Sequence, residues 1–260
     1  MTQPTAAEID VIESLASSYQ QGAHYTPPSH TLGEFDLDRA YHLQKAYVAN
    51  WQTRDIIGGF KAAVTAEPMQ KAFGLPGPVT SVLFAKGVRE SGQTLSAGDY
   101  RGLLVETELC YRLKDSVSTP LVTVDEARAL VARVSPAFEL ADPGFGQAKF
   151  TGEDLVATNI ACSGWIEGSA FDWQNHNLDA ITTKLTRDND TMHEALAGSV
   201  MDGQWQALHW LINQTIAKGY TITPEHILLS GAIGAAHPGQ PGHYVADFGA
   251  AGRIEFQLTP

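Results

Sequence analysis

The chain has 260 residues, of which 43% are hydrophobic and 18% are charged. This length and composition fit one large globular domain, or a domain with an N-terminal appendage, and argue against disorder. Its 29 acidic residues against 17 lysines and arginines give a formal charge of −12. Such a balance argues against a nucleic-acid partner, because binding to a phosphate backbone begins with a basic surface.

The first residues lack the basic and apolar pattern of a signal peptide, and no apolar run is long enough to span a membrane. The two cysteines, Cys110 and Cys162, are too few for a disulfide framework. Both lie in apolar surroundings, so we expect them to be small buried side chains. A soluble protein of the reducing cytoplasm, without a membrane partner, is the default expectation.

The chain is predicted to begin with helices. Thr5 and Glu8 form a capping-box pattern ahead of apolar residues at helical spacing, which continue until Gly22. A second helix is predicted over 36–51, starting at an aspartate-rich cap. From about residue 56 the sequence changes to short, β-branched, glycine-punctuated segments typical of strands. We therefore expect a helical section at 1–55 and a β-rich body at 56–260, which together form one structural unit.

Strands and two further helices are predicted along the body. A capping-box pattern at Thr123 and Glu126 begins a helix that is expected to run through ARALVARV, straight into a strand at SPAFELA. Another helix is predicted at WQALHWLINQTIAK, ending at Gly219, because its apolar residues share one face. The other predicted strands are IIGGFKAAV, VTSVLFAKGV, LLVETELCYRL, HILLSGAIG and the strand–turn–strand segment HYVADFGAAGRIEFQL. Without a regular βαβ alternation, these elements favour an α+β fold.

Two glutamates stand out in the apolar strand LLVETELCYRL. Side chains alternate along a strand, so Glu106 and Glu108 share one face, with Cα atoms about 7 Å apart. Either this face is solvated, or a hard divalent cation takes oxygens from both carboxylates. Glu139, in the predicted strand SPAFELA, is a third acid in a core-like segment whose small neighbours leave room around it. Three glutamates from two strands, with water at the open positions, suit Mg²⁺ or Mn²⁺ better than zinc.

Lys61 is the one charge inside the apolar, glycine-rich segment IIGGFKAAV. It could extend to the surface, as lone lysines usually do. Alternatively, the small residues around it mark a place where a ligand approaches the backbone, and a lysine near a dication could act as an acid–base group. The glycines of GAIGAA at 231–236 are expected to be turns, since too little chain follows for a dinucleotide-binding unit.

Together these segments resemble the fumarylacetoacetate hydrolase superfamily. The matching pieces, from about residue 40 to the C-terminus, are AYHLQKAYV, GFK with Thr65 four positions on, LVETELCYRL, PAFELAD, Asn159 in ATNIACSGWIEG, ALHWLIN, ILLSG and VADFGAAGRIEF. Within the superfamily the chain is most similar to the branch of 2-keto-4-pentenoate hydratases and 4-oxalocrotonate decarboxylases. It departs from the usual pattern at three places: two alanines follow Lys61 instead of Ile-Gly, Ser81 replaces a glycine, and Pro-Gly replaces Ser-Arg after Asp142.

The resemblance implies the superfamily's mixed β roll, with the N-terminal helices packed on it. It also implies a small-molecule partner, a 2-oxo acid or 2-hydroxydienoate, and a homo-oligomer. The site residues that it implies are Glu106, Glu108 and Glu139 for a Mg²⁺ or Mn²⁺ ion, Lys61 for acid–base catalysis, and Thr65, Ser81 and Asn159 for substrate binding.

The leading functional hypothesis is metal-dependent hydration of a 2-hydroxyalka-2,4-dienoate to a 2-oxo acid product, in aromatic meta-cleavage catabolism. The first alternative is decarboxylation of a 2-oxo acid of the 4-oxalocrotonate type on the same site, because both reactions need a stabilised enolate. Carbon–carbon hydrolysis of acylpyruvates is a second alternative. A non-catalytic role in assembly or ligand binding is the third.

Overall fold

A computed structural model describes residues 3–160 and 162–260 of the chain. The helices are α1 (Ala6–Gln20), α2 (Ser29–Leu32), α3 (Leu37–Trp51), α4 (Glu67–Phe73), α5 (Val124–Leu130), α6 (Gly152–Ala157) and α7 (Gln204–Ala217). The strands are β1 (Ile57–Ala63), β2 (Val79–Phe84), β3 (Val88–Arg89), β4 (Thr94–Ser96), β5 (Leu104–Leu113), β6 (Val131–Ala141), β7 (Cys162–Glu167), β8 (Thr182–Arg187), β9 (Asp190–Leu196), β10 (Ile227–Leu229), β11 (His237–Pro238), β12 (Gly242–Asp247) and β13 (Arg253–Thr259).

Helix starts follow the side-chain caps that the sequence contains. Thr5 and Glu8 bond reciprocally at the start of α1, which confirms the predicted capping box. The pair at the start of α5, Thr123 and Glu126, does the same. The predicted second helix is α3, where the Asp36 side chain accepts a hydrogen bond from the first turn.

Three predicted elements differ in extent from the expectation, because two end earlier and one is divided by a turn. α5 stops at Leu130, because the extended backbone of Val131 already pairs with β5 as the start of β6. The segment VTSVLFAKGV divides into β2 and β3, since 85–87 form a 3₁₀ turn between them. HILLSGAIG provides only β10, because the chain turns at Gly231, whose φ of 120° favours glycine.

The larger sheet has the strand order β2-β1-β10-β5-β6-β7-β3, with β11 beside β5. β2 and β3 are consecutive in the chain but lie at opposite ends of this order, so the sheet curls until its two ends meet. At this seam a Cβ atom on Gly164 of β7 would lie 2.4 Å from the carbonyl oxygen of Gly87, so the position requires glycine. The curled sheet confirms the predicted β roll.

The two faces of the roll contact different parts of the molecule. On the inner face, apolar side chains from five strands form a small cluster: Leu83, Cys110, Ala137, Trp165, Ile227 and Leu229. The outer face packs into the main core beneath a second sheet, of order β4-β13-β12-β8-β9. Phe256 of this sheet meets Phe138 of β6 edge-on, with ring centroids 5.1 Å apart.

The β8–β9 hairpin was not predicted from the sequence. Its turn residues Asp188 and Asn189 have positive φ values of 51° and 72°, which is typical of the tight turns that join hairpin strands. Strand β7 and the short helices α2, α4 and α6 were also not predicted. These segments are short or polar on both faces, so they lack the periodicity that identifies longer elements.

The N-terminal helices α1 and α3 pack with α6 at one end of the roll. Their apolar residues form one buried cluster with Val79 of β2 and Ala141 of β6, so residues 1–55 share a core with the body. The division into a helical section at 1–55 and a body at 56–260 that form one structural unit stays a prediction. The observed fold is α+β, as predicted. Among the described residues, no helix combines the length and apolar character needed to cross a membrane.

Candidate active site

Three glutamates converge on the inner face of the roll, near the end that the N-terminal helices cover. Glu106 of β5 lies directly opposite Glu139 of β6 in the antiparallel pairing, and Glu108 follows two residues along β5. One carboxylate oxygen from each residue lies within 4.8 Å of the other two. Because Glu108 and Glu139 are buried, the alternative of an ordinary solvated face is wrong.

Lys61 is buried beside these carboxylates. Strand β1 places it on the inner face, opposite Ser81 of β2, and its ammonium group forms an ion pair with Glu139. Only 2% of Lys61 is exposed, so the alternative of a lysine that extends to the surface is also wrong. Its role as the acid–base group stays a prediction.

Burial and mutual repulsion change the acidity of this cluster. Burial, together with the charge of Glu139, raises the pKa of Glu106 to about 7, although Lys61 opposes the shift. Burial and the two other carboxylates also raise the pKa of Glu108. Burial alone would lower the pKa of Lys61, but the charges of Glu139 and Glu106 outweigh it and raise the pKa, so Lys61 stays protonated near neutral pH.

The cluster fits a hard divalent cation. Three carboxylates beside one ammonium group carry a formal charge of −2 when all are ionised, which a dication would neutralise. Oε1 of Glu108 is buried and has no hydrogen-bond partner within residues 3–160 and 162–260, so an acceptor is left over for a ligand. Donor sets made only of oxygen suit hard cations better than zinc. Glu106, Glu108 and Glu139 are the residues that would hold it.

Two of the predicted substrate-binding residues lie around the cluster. The Ser81 hydroxyl is buried next to Lys61 and has no hydrogen-bond partner among the described residues. Thr65 follows β1 and packs on Gly231, so closely that a Cβ atom there would lie 2.6 Å from the Thr65 methyl group. The side-chain amide of Asn159 is instead bound to the backbone of Val82. Its oxygen accepts from the Val82 N–H at 2.9 Å, and its nitrogen donates to the Val82 oxygen at 2.8 Å. Substrate binding by these three residues stays a prediction.

The loop at 230–234 belongs to the site, although the sequence indicated only turns there. The backbone N–H of Gly231 donates to Oε2 of Glu108 at 2.7 Å. Two residues further along, Thr107 holds Ile233 by two hydrogen bonds. The Ile233 N–H donates to the backbone oxygen of Thr107 at 2.7 Å, and the Thr107 hydroxyl donates to the backbone oxygen of Ile233 at 2.9 Å. Thr107 lies between the two glutamates of β5, but its side chain points to the outer face of the sheet. It therefore holds the loop from the face opposite the carboxylates.

Two further groups support this loop. His193 of β9 contacts the Thr107 hydroxyl at 3.2 Å and His237 at 2.8 Å, and burial lowers its pKa to about 4, so it is neutral. Gln204, at the start of α7, accepts hydrogen bonds from Ser230 and Tyr111 at 2.8 Å each. In the sequence, only the Glu-Thr-Glu spacing and the clustered glycines indicated that the loop at 230–234 contacts β5.

Known proteins with related sequences are hydratases and decarboxylases. The chain is 25% identical over 217 residues to a 2-hydroxyhexa-2,4-dienoate hydratase of Comamonas testosteroni, covering 80% of this chain and 81% of the relative. It is 26% identical over 208 residues to a 4-oxalocrotonate decarboxylase of a Pseudomonas species, covering 77% and 78%. No family model matches the chain.

A solved structure extends the likeness to nearly the whole chain. The 4-oxalocrotonate decarboxylase of Pseudomonas putida G7, complexed with magnesium and adipate, superimposes with a TM-score of 0.92 at 17% identity, covering 99% of both chains. The resemblance predicted from the sequence is confirmed by these relatives, and the fold is that of the 4-oxalocrotonate decarboxylase. The relatives come from the branch that the sequence motifs resemble.

One departure from the superfamily pattern has a counterpart in the fold. Asp142 is not followed by an arginine, but Arg101, from the segment before β5, donates to its carboxylate through the backbone N–H at 3.0 Å and through Nε at 3.1 Å. The Arg101 guanidinium also lies over the ring of Tyr25, 4.4 Å from the centroid. A cation from a different part of the chain therefore accompanies Asp142.

The raised pKa values predict pH-dependent metal binding. A cation binds the ionised form of a carboxylate. Because the pKa of Glu106 is about 7, the protein must release protons when the cation binds near neutral pH. We expect the Mg²⁺ dissociation constant to rise at least tenfold for each pH unit below 7, because Glu106 binds a proton there and the raised pKa of Glu108 acts in the same direction. Calorimetry at pH 6 and 8, in two buffers of different ionisation enthalpy, measures both the affinity and the protons released. Glu34→Gln, an exposed carboxylate outside the cluster, is the control. Equal affinities at both pH values would contradict the expectation.

The support from Thr107 predicts a remote effect on the metal site. Thr107→Val keeps the shape of the side chain but removes the hydroxyl that holds Ile233, so the Gly231 N–H should lose its fixed position on Glu108. We expect the Mg²⁺ affinity to fall roughly tenfold, as for other groups that orient metal ligands. Thr107→Ser should retain it. A Val variant with unchanged thermal stability and unchanged Mg²⁺ affinity would show that the loop needs no such support.

Proposed function

We propose that the chain is a metal-dependent hydratase that adds water to a 2-hydroxyalka-2,4-dienoate and yields a 2-oxo acid, in aromatic meta-cleavage catabolism. The observation that carries this proposal is the buried, protonated Lys61 beside three convergent carboxylates. A relative named as a 2-hydroxyhexa-2,4-dienoate hydratase, matched over 80% of the chain, supports it. Glu106, Glu108 and Glu139 would hold Mg²⁺ or Mn²⁺.

The chemistry follows from where charge develops. A bound dication would supply Lewis-acid stabilisation of the negative charge that forms on the 2-oxygen when the dienol ketonises. Lys61, which is protonated at rest, would donate a proton to the far carbon of the dienol. Ketonisation releases the 2-hydroxyl proton and leaves an electrophilic alkene. The oxygen of water would then add to the far end of this alkene, the proton of that water would return to the Lys61 amine, and the carbon next to the ketone would take up a proton equivalent to the one that the 2-hydroxyl released. The hydroxyl groups of Thr65 and Ser81 would orient the substrate.

Decarboxylation is the second candidate, because a specific observation favours it. The relative named as a 4-oxalocrotonate decarboxylase is 26% identical over 77% of the chain. Loss of CO₂ from such a 2-oxo acid also leaves an enolate, so the same carboxylates and the same lysine would serve both reactions. Action on a small molecule is common to both. Assembly into a homo-oligomer and localisation in the cytoplasm stay predictions.

Turnover of two substrates separates these reactions. Purified protein is mixed with 2-hydroxypenta-2,4-dienoate or with 4-oxalocrotonate, with Mg²⁺ and with a chelator, and products are followed by absorbance and mass. We expect Mg²⁺-dependent hydration of the dienoate. Release of CO₂ from 4-oxalocrotonate without hydration would establish the decarboxylase instead. Turnover of neither substrate would rule out both proposals and favour an acylpyruvate hydrolase or a non-catalytic protein.

The role of Lys61 is tested apart from metal binding. Lys61→Met keeps the apolar stem but removes the proton, so turnover should fall roughly 10²- to 10⁴-fold, the usual effect of a positioned acid–base group. The Mg²⁺ affinity should fall little or rise, because a positive charge near the cation has been removed. Turnover assays beside calorimetric titration measure the two effects, with the exposed Lys114→Met as control. Near-normal turnover of Lys61→Met would rule out the catalytic lysine.

A further inference from the structure

An indole ring lies beside the proposed metal ligands on the inner face of the roll. Trp165 of β7 is directly opposite Glu139 of β6, and Glu139 is directly opposite Glu106 of β5. The three side chains therefore form one row across three strands. Directly opposed residues of antiparallel strands have Cβ atoms about 4.5–5.5 Å apart. A ligand on a cation that Glu139 holds would therefore lie within reach of the indole.

The indole nitrogen has no hydrogen-bond partner within the described ranges 3–160 and 162–260. Only 3% of Trp165 is exposed, and its Nε1–H group is buried and unpaired. An indole N–H can only donate, so only an acceptor can satisfy it. Because nearly all buried donors in folded proteins are paired, this one indicates a place for an acceptor from outside the chain.

The carboxylates of the inner face next to Trp165 are engaged with other groups. Glu167, two residues along β7 on the same face, accepts from Nη2 of Arg112 at 2.6 Å and from the hydroxyl of Ser135 at 3.2 Å. Glu139 forms the ion pair described above. Neither carboxylate accepts from the indole, so Trp165 belongs to neither ion pair.

Two glycines fix the orientation of the ring. A Cβ atom on Gly58 would lie 2.8 Å from Cη2 of Trp165, and one on Gly87 would lie 3.3 Å from its Cζ3. The far edge of the indole therefore occupies space that is free only because both positions lack a side chain. A ring held at this edge cannot turn its nitrogen towards a different acceptor, so the acceptor must come to the nitrogen.

A substrate carboxylate is such an acceptor. When one of its oxygens binds a cation, the other keeps lone pairs that need a donor in a site closed to water. A hydrogen bond to an ionised acceptor is stronger than one between neutral groups. The indole N–H is also neutral, so it can hold the carboxylate without adding a positive charge beside the cation.

We propose that the indole N–H of Trp165 donates a hydrogen bond to the carboxylate of the substrate at the glutamate cluster. The assignment rests on the proposed function, because that function brings the carboxylate of a 2-hydroxydienoate or a 2-oxo acid to the cation. Trp165 is then a substrate-binding residue that transfers no proton. Gly58 and Gly87 act through it, because they leave the space that fixes its ring.

Binding of oxalate tests this role without turnover. Oxalate is an unreactive ion that presents a carboxylate beside a second oxygen, as the reacting end of the substrate does. Calorimetry on the Mg²⁺-loaded protein should show that Trp165→Phe weakens oxalate about ten- to a hundredfold, since a charged acceptor loses its donor. The Mg²⁺ affinity should stay unchanged. Trp210→Phe, on α7, is the control and should alter neither. Unchanged oxalate affinity in folded Trp165→Phe would overturn the proposal.

An analogue of tryptophan separates the lost donor from the lost ring volume. β-(3-Benzothienyl)alanine at position 165 keeps the two fused rings but has sulfur in place of the N–H group. It should weaken oxalate as much as Trp165→Phe does. Wild-type oxalate affinity with this analogue would show that the ring fills space only, and would overturn the proposal.

The hydrogen bond can also be observed directly. The chain has five tryptophans, and the indole N–H signal of Trp165 in a ¹H–¹⁵N spectrum is the one that Trp165→Phe lacks. We expect oxalate to move this proton downfield in the Mg²⁺-loaded protein, further than the other indole protons, because a bond to an anion deshields it. A Trp165 signal that oxalate leaves in place would overturn the proposal.

Kinetics distinguish a failure of this proposal from a failure of the proposed function. With 2-hydroxypenta-2,4-dienoate, Trp165→Phe should raise KM about tenfold or more and lower kcat less, because the lost bond holds the substrate before it reacts. If the wild type turned over no dienoate, the proposed function would fail. The oxalate titrations and the indole signal would still decide whether Trp165 binds a carboxylate.

Discussion

The site depends on one group of buried charges, the ion pair of Lys61 and Glu139 beside Glu106 and Glu108. Charges inside a protein are costly unless each is balanced. One ammonium group balances one carboxylate, which leaves two to be neutralised by protons or by a cation. The raised pKa values of Glu106 and Glu108 favour protons in this place when no cation is bound. Such a cluster lowers the stability of the protein without a ligand, which is typical of a binding site.

The curled sheet explains how these side chains reach one point. Alternation along β1, β5 and β6 points Lys61 and the glutamates inward, and the roll brings the strands around a common interior. The same alternation points Thr107 outward, where it holds the loop whose Gly231 N–H returns to Glu108. Strand β5 thus supplies Glu106 and Glu108 on its inner face. On its outer face it supplies Thr107, which holds the loop that donates a hydrogen bond to Glu108.

The sequence predicted the parts of the site that depend on local rules. Strand alternation alone predicts that Glu106 and Glu108 share one face. Lys61 and Glu139 could be identified because they are charges in apolar segments. The supporting groups could not be predicted, because Thr107 meets His193 and Ile233 across 86 and 126 residues of chain. Each of these residues is ordinary in its own segment. The β8–β9 hairpin that carries His193 was missed for a related reason, since most of its side chains are at least partly exposed and its apolar pattern is weak.

The proposed metal ligands and the proposed substrate-binding residues come from different segments, so they can change independently. The carboxylates and Lys61 occupy inner positions of strands that are fixed by pairing on both sides. Two of the three departures from the superfamily pattern lie on other segments: Ser81 on β2, and Asp142 with its distant partner Arg101. The third, the two alanines after Lys61, lies on β1 itself. Substitutions at positions such as these would change which carbon chain fits while the proposed stabilisation of an enolate stays the same. Relatives named as hydratases and as a decarboxylase could then share one set of carboxylates, while the surrounding side chains decide which substrate is held in position to react.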